Sequence, residues 1–134
     1  MPEGPERRLS RAWLVFAMVS VAAAGSSNGQ DPLKLGDIAI TERGADANGE
    51  FCRDFSLTPA QVSAFFSRAR LVDASALHGS FDHLPCYIRG TAVWKDQPAT
   101  WEIRAGGTGM LTVKAGMPRL YGCSGCDDLF AQGR

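Results

Sequence analysis

CYIRGTAVWKDQPATWEIRA, residues 86–105, alternates in polarity on both sides of a central break. In its first half Cys86, Ile88, Ala92 and Trp94 fall on one face, with Gly90 between them. Tyr87, Arg89, Thr91 and Lys95 fall on the other. KDQP, residues 95–98, is turn chemistry. Beyond it Trp101, Ile103 and Ala105 alternate with Thr100, Glu102 and Arg104. A period of two on both sides of a turn predicts an antiparallel hairpin with one apolar and one polar face.

Working towards the C-terminus, GGTG at residues 106–109 turns the chain again. The stretch IRAGGTG resembles a glycine-rich anion loop, but such a loop leads into a helix N-terminus. Here MLTVK, residues 110–114, follows and reads as a strand, so a tight turn with positive φ at glycine is expected. AGMP breaks that strand, and RLYGC, residues 119–123, can form a short last one.

Working towards the N-terminus, LTPAQVSAFFSRARLVD carries the helix signal. Thr58 is a good N-cap, Pro59 suits the first helical position, and Gln61 completes a capping box. Val62, Phe65, Phe66, Ala69 and Val72 recur at helical spacing, predicting an amphipathic helix over residues 59–73. ASALHGSFDHLP, residues 74–85, reads as a loop; a loop of that length is functional or tied down. DIAITE, residues 37–42, is a candidate first strand, and RGADANGE, residues 43–50, is loop chemistry. A calcium loop there fails, because with Gly49 at position six the end ligands would be Gly44 and Phe55. The expected fold is α+β: one helix packed on an antiparallel meander of three to five strands. The expected core is Phe65, Phe66, Ile88, Trp94, Trp101 and Ile103.

The chain opens with Arg7, Arg8 and Arg11, then a 13-residue apolar run, Ala12 to Ala24, ending in three alanines. That is the pattern of a secretory signal peptide. A helix needs roughly 20 apolar residues to span a bilayer, so this run is too short to be an anchor. Glu6 before the arginine pair favours general export over the twin-arginine route. No cysteine follows until Cys52, which argues against a lipid anchor. The expected organisation is a signal peptide over residues 1–24, a flexible leader over 25–36 and a single domain over 37–134. Lys and Arg together number 14, as do Asp and Glu. Removing Arg7, Arg8, Arg11, Glu3 and Glu6 with the signal peptide leaves a net charge of −1, with none of the basic bias of a nucleic-acid binder. No second apolar stretch could span a membrane, and the expected location is the periplasm or the exterior.

Cys52, Cys86, Cys123 and Cys126 are the only cysteines. An even number in an exported chain reads as two disulfides. The preferred pairing is Cys52–Cys86 with Cys123–Cys126; the alternatives tie Cys52 and Cys86 separately to the C-terminal pair. The CSGC motif is a weak redox candidate. Only eight residues follow it, room for two helical turns at most, and Asp127 and Asp128 oppose a lowered thiol pKa. It is equally weak as a zinc site, which needs a second ligand pair.

Two side-chain groups remain. His78, Asp82 and His83 could bind a metal or shuttle protons, although a spacing of five residues from one histidine to the other suits neither a helix face nor a strand face. Tyr87, Arg89, Glu102 and Arg104 share the polar face of the hairpin and could bind a partner. No nucleophile motif, metal set or cofactor motif is complete, so no catalytic residue, metal or cofactor is assigned.

The motifs D-F-x-L-T at Asp54–Thr58, P-C-Y-x-x-G at Pro85–Gly90, W-x-I-R-A-G at Trp101–Gly106 and the C-terminal CxxC resemble a group of small exported bacterial proteins. The resemblance covers most of residues 54–130. It implies an exported, disulfide-stabilised protein and carries over no catalytic residue. Periplasmic lysozyme inhibitors share the size and compartment, but no inhibitory loop of theirs matches. The leading expectation is therefore a non-enzymatic binding, inhibitor or immunity-like protein with an envelope partner. The alternatives are a metal protein or enzyme using His78, Asp82 and His83, and a thiol redox protein using Cys123 and Cys126.

Overall fold

The structure, a computed structural model, describes residues 32–46, 52–114 and 116–130. The stretch expected to be a signal peptide and most of the expected leader lie outside them, as do Asn48, Gly49 and Glu50 of the rejected calcium loop. Within the described residues the elements run β1 (Gly36–Ala45), α1 (Pro59–Arg68), β2 (Arg70–Leu71), α2 (Ala74–Ser80), β3 (Cys86–Trp94), β4 (Gln97–Arg104), β5 (Thr108–Val113), β6 (Arg119–Gly122) and α3 (Asp127–Phe130). The strands form one sheet in the order β1-β3-β4-β5-β6-β2, every neighbouring pair antiparallel. The class is α+β, but the sheet has six strands where three to five were expected.

The hairpin of residues 86–105 forms in register, with Ile88 opposite Ile103 and Arg89 opposite Glu102. Its turn is tighter than KDQP suggested. Lys95 and Asp96 alone make it, both with positive φ (52° and 65°), the signature of a two-residue turn matched to strand twist. Gln97 and Pro98 already belong to β4. Pro98 sits beyond the end of β5, whose pairing starts at Ala99, so its missing N–H costs that partner nothing.

The apolar face of the sheet is the core. Ile88, Ile103, Leu111 and Tyr121 are completely or almost completely buried, with Trp101, Ala92 and Ala99 beside them. Helix α1 packs here. Its cap is the predicted one: the Gln61 N–H donates to Thr58 Oγ1 and the Thr58 N–H to Gln61 Oε1. Its buried side is only a narrow stripe, Val62, Phe65 and Phe66, each fully enclosed. Phe66 meets the Tyr121 and Trp101 rings edge-on at 5.6 and 6.4 Å. Burying a side chain of this size stabilises the fold by about 1.5–3 kcal/mol.

Four expectations need correction here. The helix ends at Arg68 and not at Asp73, because Arg70 and Leu71 pair with Gly122 and Tyr121 at the sheet edge. Ala69 turns extended to allow this, and tertiary pairing overrides helical periodicity. Residues 74–80 are a helix, not a loop, capped by the Asp73 carboxylate accepting from the Ala76 N–H at 2.8 Å. That helix buries no residue, which is why it left no apolar pattern. Trp94 is only partly buried; the Lys95 ammonium and the Arg119 guanidinium lie over its ring at 4.7 and 4.8 Å. Leu33, from the stretch expected to be leader, is buried in the core.

The disulfides are Cys52–Cys86 and Cys123–Cys126. The first closes the excursion that carries α1, β2 and α2 and ends it at the start of β3. The second closes the turn between β6 and α3, with Cys126 fully buried.

Candidate functional site

The polar face of the sheet is built by register. One cross-strand row runs Leu120, Met110, Glu102, Arg89, Glu42 from β6 to β1. The next row holds Tyr87 opposite Arg104, and a third holds Thr91, Thr100 and Thr112. Adjacent strands stand about 4.8 Å apart, so long side chains in neighbouring rows reach each other. Arg89 donates from Nε to Glu102 at 2.9 Å and from Nη1 to Glu42 at 3.4 Å. Its guanidinium also lies 3.9 Å above the Tyr87 ring. Arg104 donates from Nε to the other Glu102 oxygen at 3.4 Å, and its two terminal nitrogens grip Asp46 at 2.7 and 3.3 Å. The four residues expected on this face thus belong to one ionic network, with Glu42 and Asp46 added.

That network sets the ionisation. Its hydrogen bond to Glu102 holds Arg89 above its ordinary pKa, and the bond to Asp46 does the same for Arg104. Reciprocally, the hydrogen bond from Arg104 lowers the Asp46 carboxyl below its ordinary value. Glu102 is the pivot: its side chain is only 13% exposed and it serves both arginines.

Helix α2 and the segment after it lie over the β5–β6 end of the same face. Phe81 is the anchor. Its ring rests against Gly122 of β6, where any Cβ would overlap it, and against Gly107, the one glycine with positive φ (98°) among the described residues. The carbonyl of Asp82 likewise occupies the space a side chain at Gly106 would need. Gly106 and Gly107 are therefore turn residues, as expected, and also the seat of the loop, while Thr108 and Gly109 already belong to β5. The Asp46 N–H donates to the Pro85 carbonyl at 3.1 Å, and the Cys52–Cys86 bond pins the next residue.

Where the chain leaves α2 it reverses, and His83 returns onto His78. The rings stack with centroids 5.1 Å apart, and His78 Nδ1 lies 3.3 Å from His83 Nε2. The five-residue spacing that suited no regular element suits a helix end followed by a reversal. Asp82 is exposed and has no side-chain partner among the described residues. It does not complete a metal site: no group of three or more His, Cys, Asp or Glu among the described residues could hold an ion.

Between loop and sheet lies a cleft of about 420 Å³. His78, Asp82 and His83 line one wall, Glu102, Arg104 and Asp46 another, and Leu77, Leu84, Met110 and Leu120 supply apolar surface. A second groove of about 340 Å³ over the threonine row adjoins it and shares Glu102 and Met110. His78, Asp82 and His83 thus line one cavity with Glu102 and Arg104, while Arg89 lines the adjoining groove and Tyr87 lines neither. Sequence reasoning missed its apolar lining. Met110 and Leu120 stand at outward positions of their strands, an anomaly readable only once the register is known. Asp46 entered the reading only as a turn residue.

Cys123 and Cys126 do not line this cleft: both are buried, at 6% and 0% exposure, and disulfide-bonded. A one-turn helix, α3, follows them, with Asp128 paired to Arg68 at 2.8 Å. No helix among the described residues is long and apolar enough to cross a membrane. Compared with protein families, with curated proteins and with solved structures, the chain matches none.

Proposed function

We propose that this is an exported, non-enzymatic binding protein, inhibitor or immunity-like in character, that receives its partner in the cleft between the α2 loop and the polar face of the sheet. The observation that carries the reading is the convergence of the His78–Asp82–His83 loop and the Glu102–Arg104–Asp46 network on one apolar-walled cavity. Its volume falls within the range of about 300–1,000 Å³ typical of ligand sites, and apolar walls with few convergent polar groups are their usual lining. Two disulfides suit an oxidising compartment, and the leader and the resemblance to small exported bacterial proteins support the same location. Glu102, Arg104 and Asp46 are engaged with one another in ion pairs, an arrangement that holds a shape and does not poise a nucleophile. A photo-crosslinking residue at Leu84, compared with one at the distant and exposed Met117, tests it in cells. The expected outcome is a discrete adduct at Leu84 alone, lost when Arg104→Ala breaks the network. Equal labelling at both positions, or at neither, refutes the cleft as the binding site.

A second reading rests on the 3.3 Å contact between the two imidazole nitrogens. A transition-metal ion held by both would keep its remaining positions open, since no third ligand joins them among the described residues. Elemental analysis of protein purified without chelator decides it: stoichiometric metal lost in His78→Ala supports this reading, and metal-free protein removes it. The thiol redox reading draws no support from two sulfurs buried in the core.

A further inference from the structure

Resting on the cleft as the binding site, we infer that its occupant is a polypeptide segment that inserts a basic side chain, flanked by apolar residues, beside Asp82. Charge decides the sign. Asp46, Asp82 and Glu102 line the cleft against a single arginine, Arg104. That arginine is spent on Asp46 and Glu102. Across the shared wall, Arg89 is offset by Glu42 and Glu102. Three carboxylates against one guanidinium leave the lining with two more acidic than basic side chains, and Asp82 is the carboxylate with no cation of its own among the described residues. A carboxylate or phosphate ligand would meet repulsion here, while an ammonium or guanidinium meets an unpaired partner. The apolar surface of Leu77 and Leu84 beside Asp82 suits the methylene stem of a lysine or arginine, whose charged tip stays at the polar rim.

Length decides the source. One side chain or a small free amine would fill the first cavity only. The cleft continues past Glu102 and Met110 into the groove over Thr91, Thr100 and Thr112. Those hydroxyls, which can both donate and accept, suit the amides of an extended backbone.

The test uses the processed protein, isotope-labelled, and three capped pentapeptides: acetyl-Gly-Leu-Lys-Leu-Gly-amide and its forms with glutamate or norleucine in place of lysine. Amide shifts at His83, Leu84 and Met110 are followed by NMR at low salt. The lysine peptide is expected to bind about fivefold more tightly than the norleucine peptide, the upper range for one exposed charge pair. The glutamate peptide is expected to leave the cleft unmoved. Raising the ionic strength shrinks the preference by screening, and Asp82→Asn abolishes it. Because Asp82 is exposed and unpaired, this variant keeps its thermal unfolding temperature, so lost preference is not lost folding. Equal binding of all three peptides, or a lysine preference that survives Asp82→Asn, overturns the inference. In the first case a cleft that still binds, and a Leu84 adduct in cells, leaves the proposed function standing. A lysine peptide that moves no cleft amide at millimolar concentration also overturns it, and the Leu84 crosslink then decides the underlying reading separately.

Discussion

Gly122 shows how much of the site depends on single residues. It faces the Phe81 ring, and Phe81 holds the loop that carries His83 and Leu84. Gly122→Ala forces the ring out of its seat. Overpacking of this kind costs about 1–3 kcal/mol. The expected signature is a lower unfolding temperature together with faster proteolysis between Leu77 and Pro85. A loss of stability with an unchanged cleavage pattern would show that Phe81 is not the anchor. The ionic residues make a second prediction at this scale. Asp46 and Asp128 have carboxyls lowered below 3.8, chiefly by hydrogen bonds from Arg104 and Arg68. The folded state therefore holds these protons less tightly than the unfolded chain. Their contribution is complete above the ordinary carboxylate value and is lost as pH falls from there through the lower folded values. Both groups are exposed, so the effect is small and screened by salt. Denaturant midpoints at about pH 5 and pH 3 should differ less in Asp46→Asn/Asp128→Asn than in the unaltered protein.

At the scale of elements, local chemistry was a good guide wherever it was self-contained. The start of α1 was legible because Thr58, Pro59 and Gln61 act within one turn, and Thr58→Ala should cost about 1 kcal/mol in urea unfolding. The hairpin was legible because its alternation and its turn are neighbours in sequence. Its turn is still strained, since Lys95 and Asp96 both adopt positive φ. Lys95→Asn with Asp96→Gly relieves this and should raise stability by about 1 kcal/mol. No gain would mean that Lys95 earns its place by its contact with Trp94. The end of α1 was not legible, because Arg70 and Leu71 leave the helical pattern for a partner fifty residues away. Nor was α2, whose only strong local sign is the Asp73 cap and whose residues are all at least partly exposed.

For the molecule as a whole, the two disulfides do different work. Cys52–Cys86 spans 34 residues and closes the whole α1–β2–α2 excursion, whereas Cys123–Cys126 spans three. In the loop-entropy picture the first stabilises by about 3–4 kcal/mol and the second by about half of that. Cys52→Ala/Cys86→Ala is therefore expected to lose the larger part of the stability and to loosen the cleft loop, read together by thermal unfolding and by the Leu84 crosslink. Equal losses for the two bonds would show that the burial of Cys126, and not chain entropy, sets the scale. By itself the sequence determined the elements whose causes lie within a few residues: the hairpin, the head of α1, the turns, and an even set of cysteines. It also singled out His78, Asp82, His83, Glu102 and Arg104 of the cleft lining, but not Asp46. Only the tertiary structure decided the strand order β1-β3-β4-β5-β6-β2, the diversion of residues 70–71 into the sheet, and the meeting of His78, Asp82 and His83 with Glu102 and Arg104. Those arrangements are fixed by pairings between distant segments, and by space left at Gly106 and Gly122. Their energies appear only when the chain is folded.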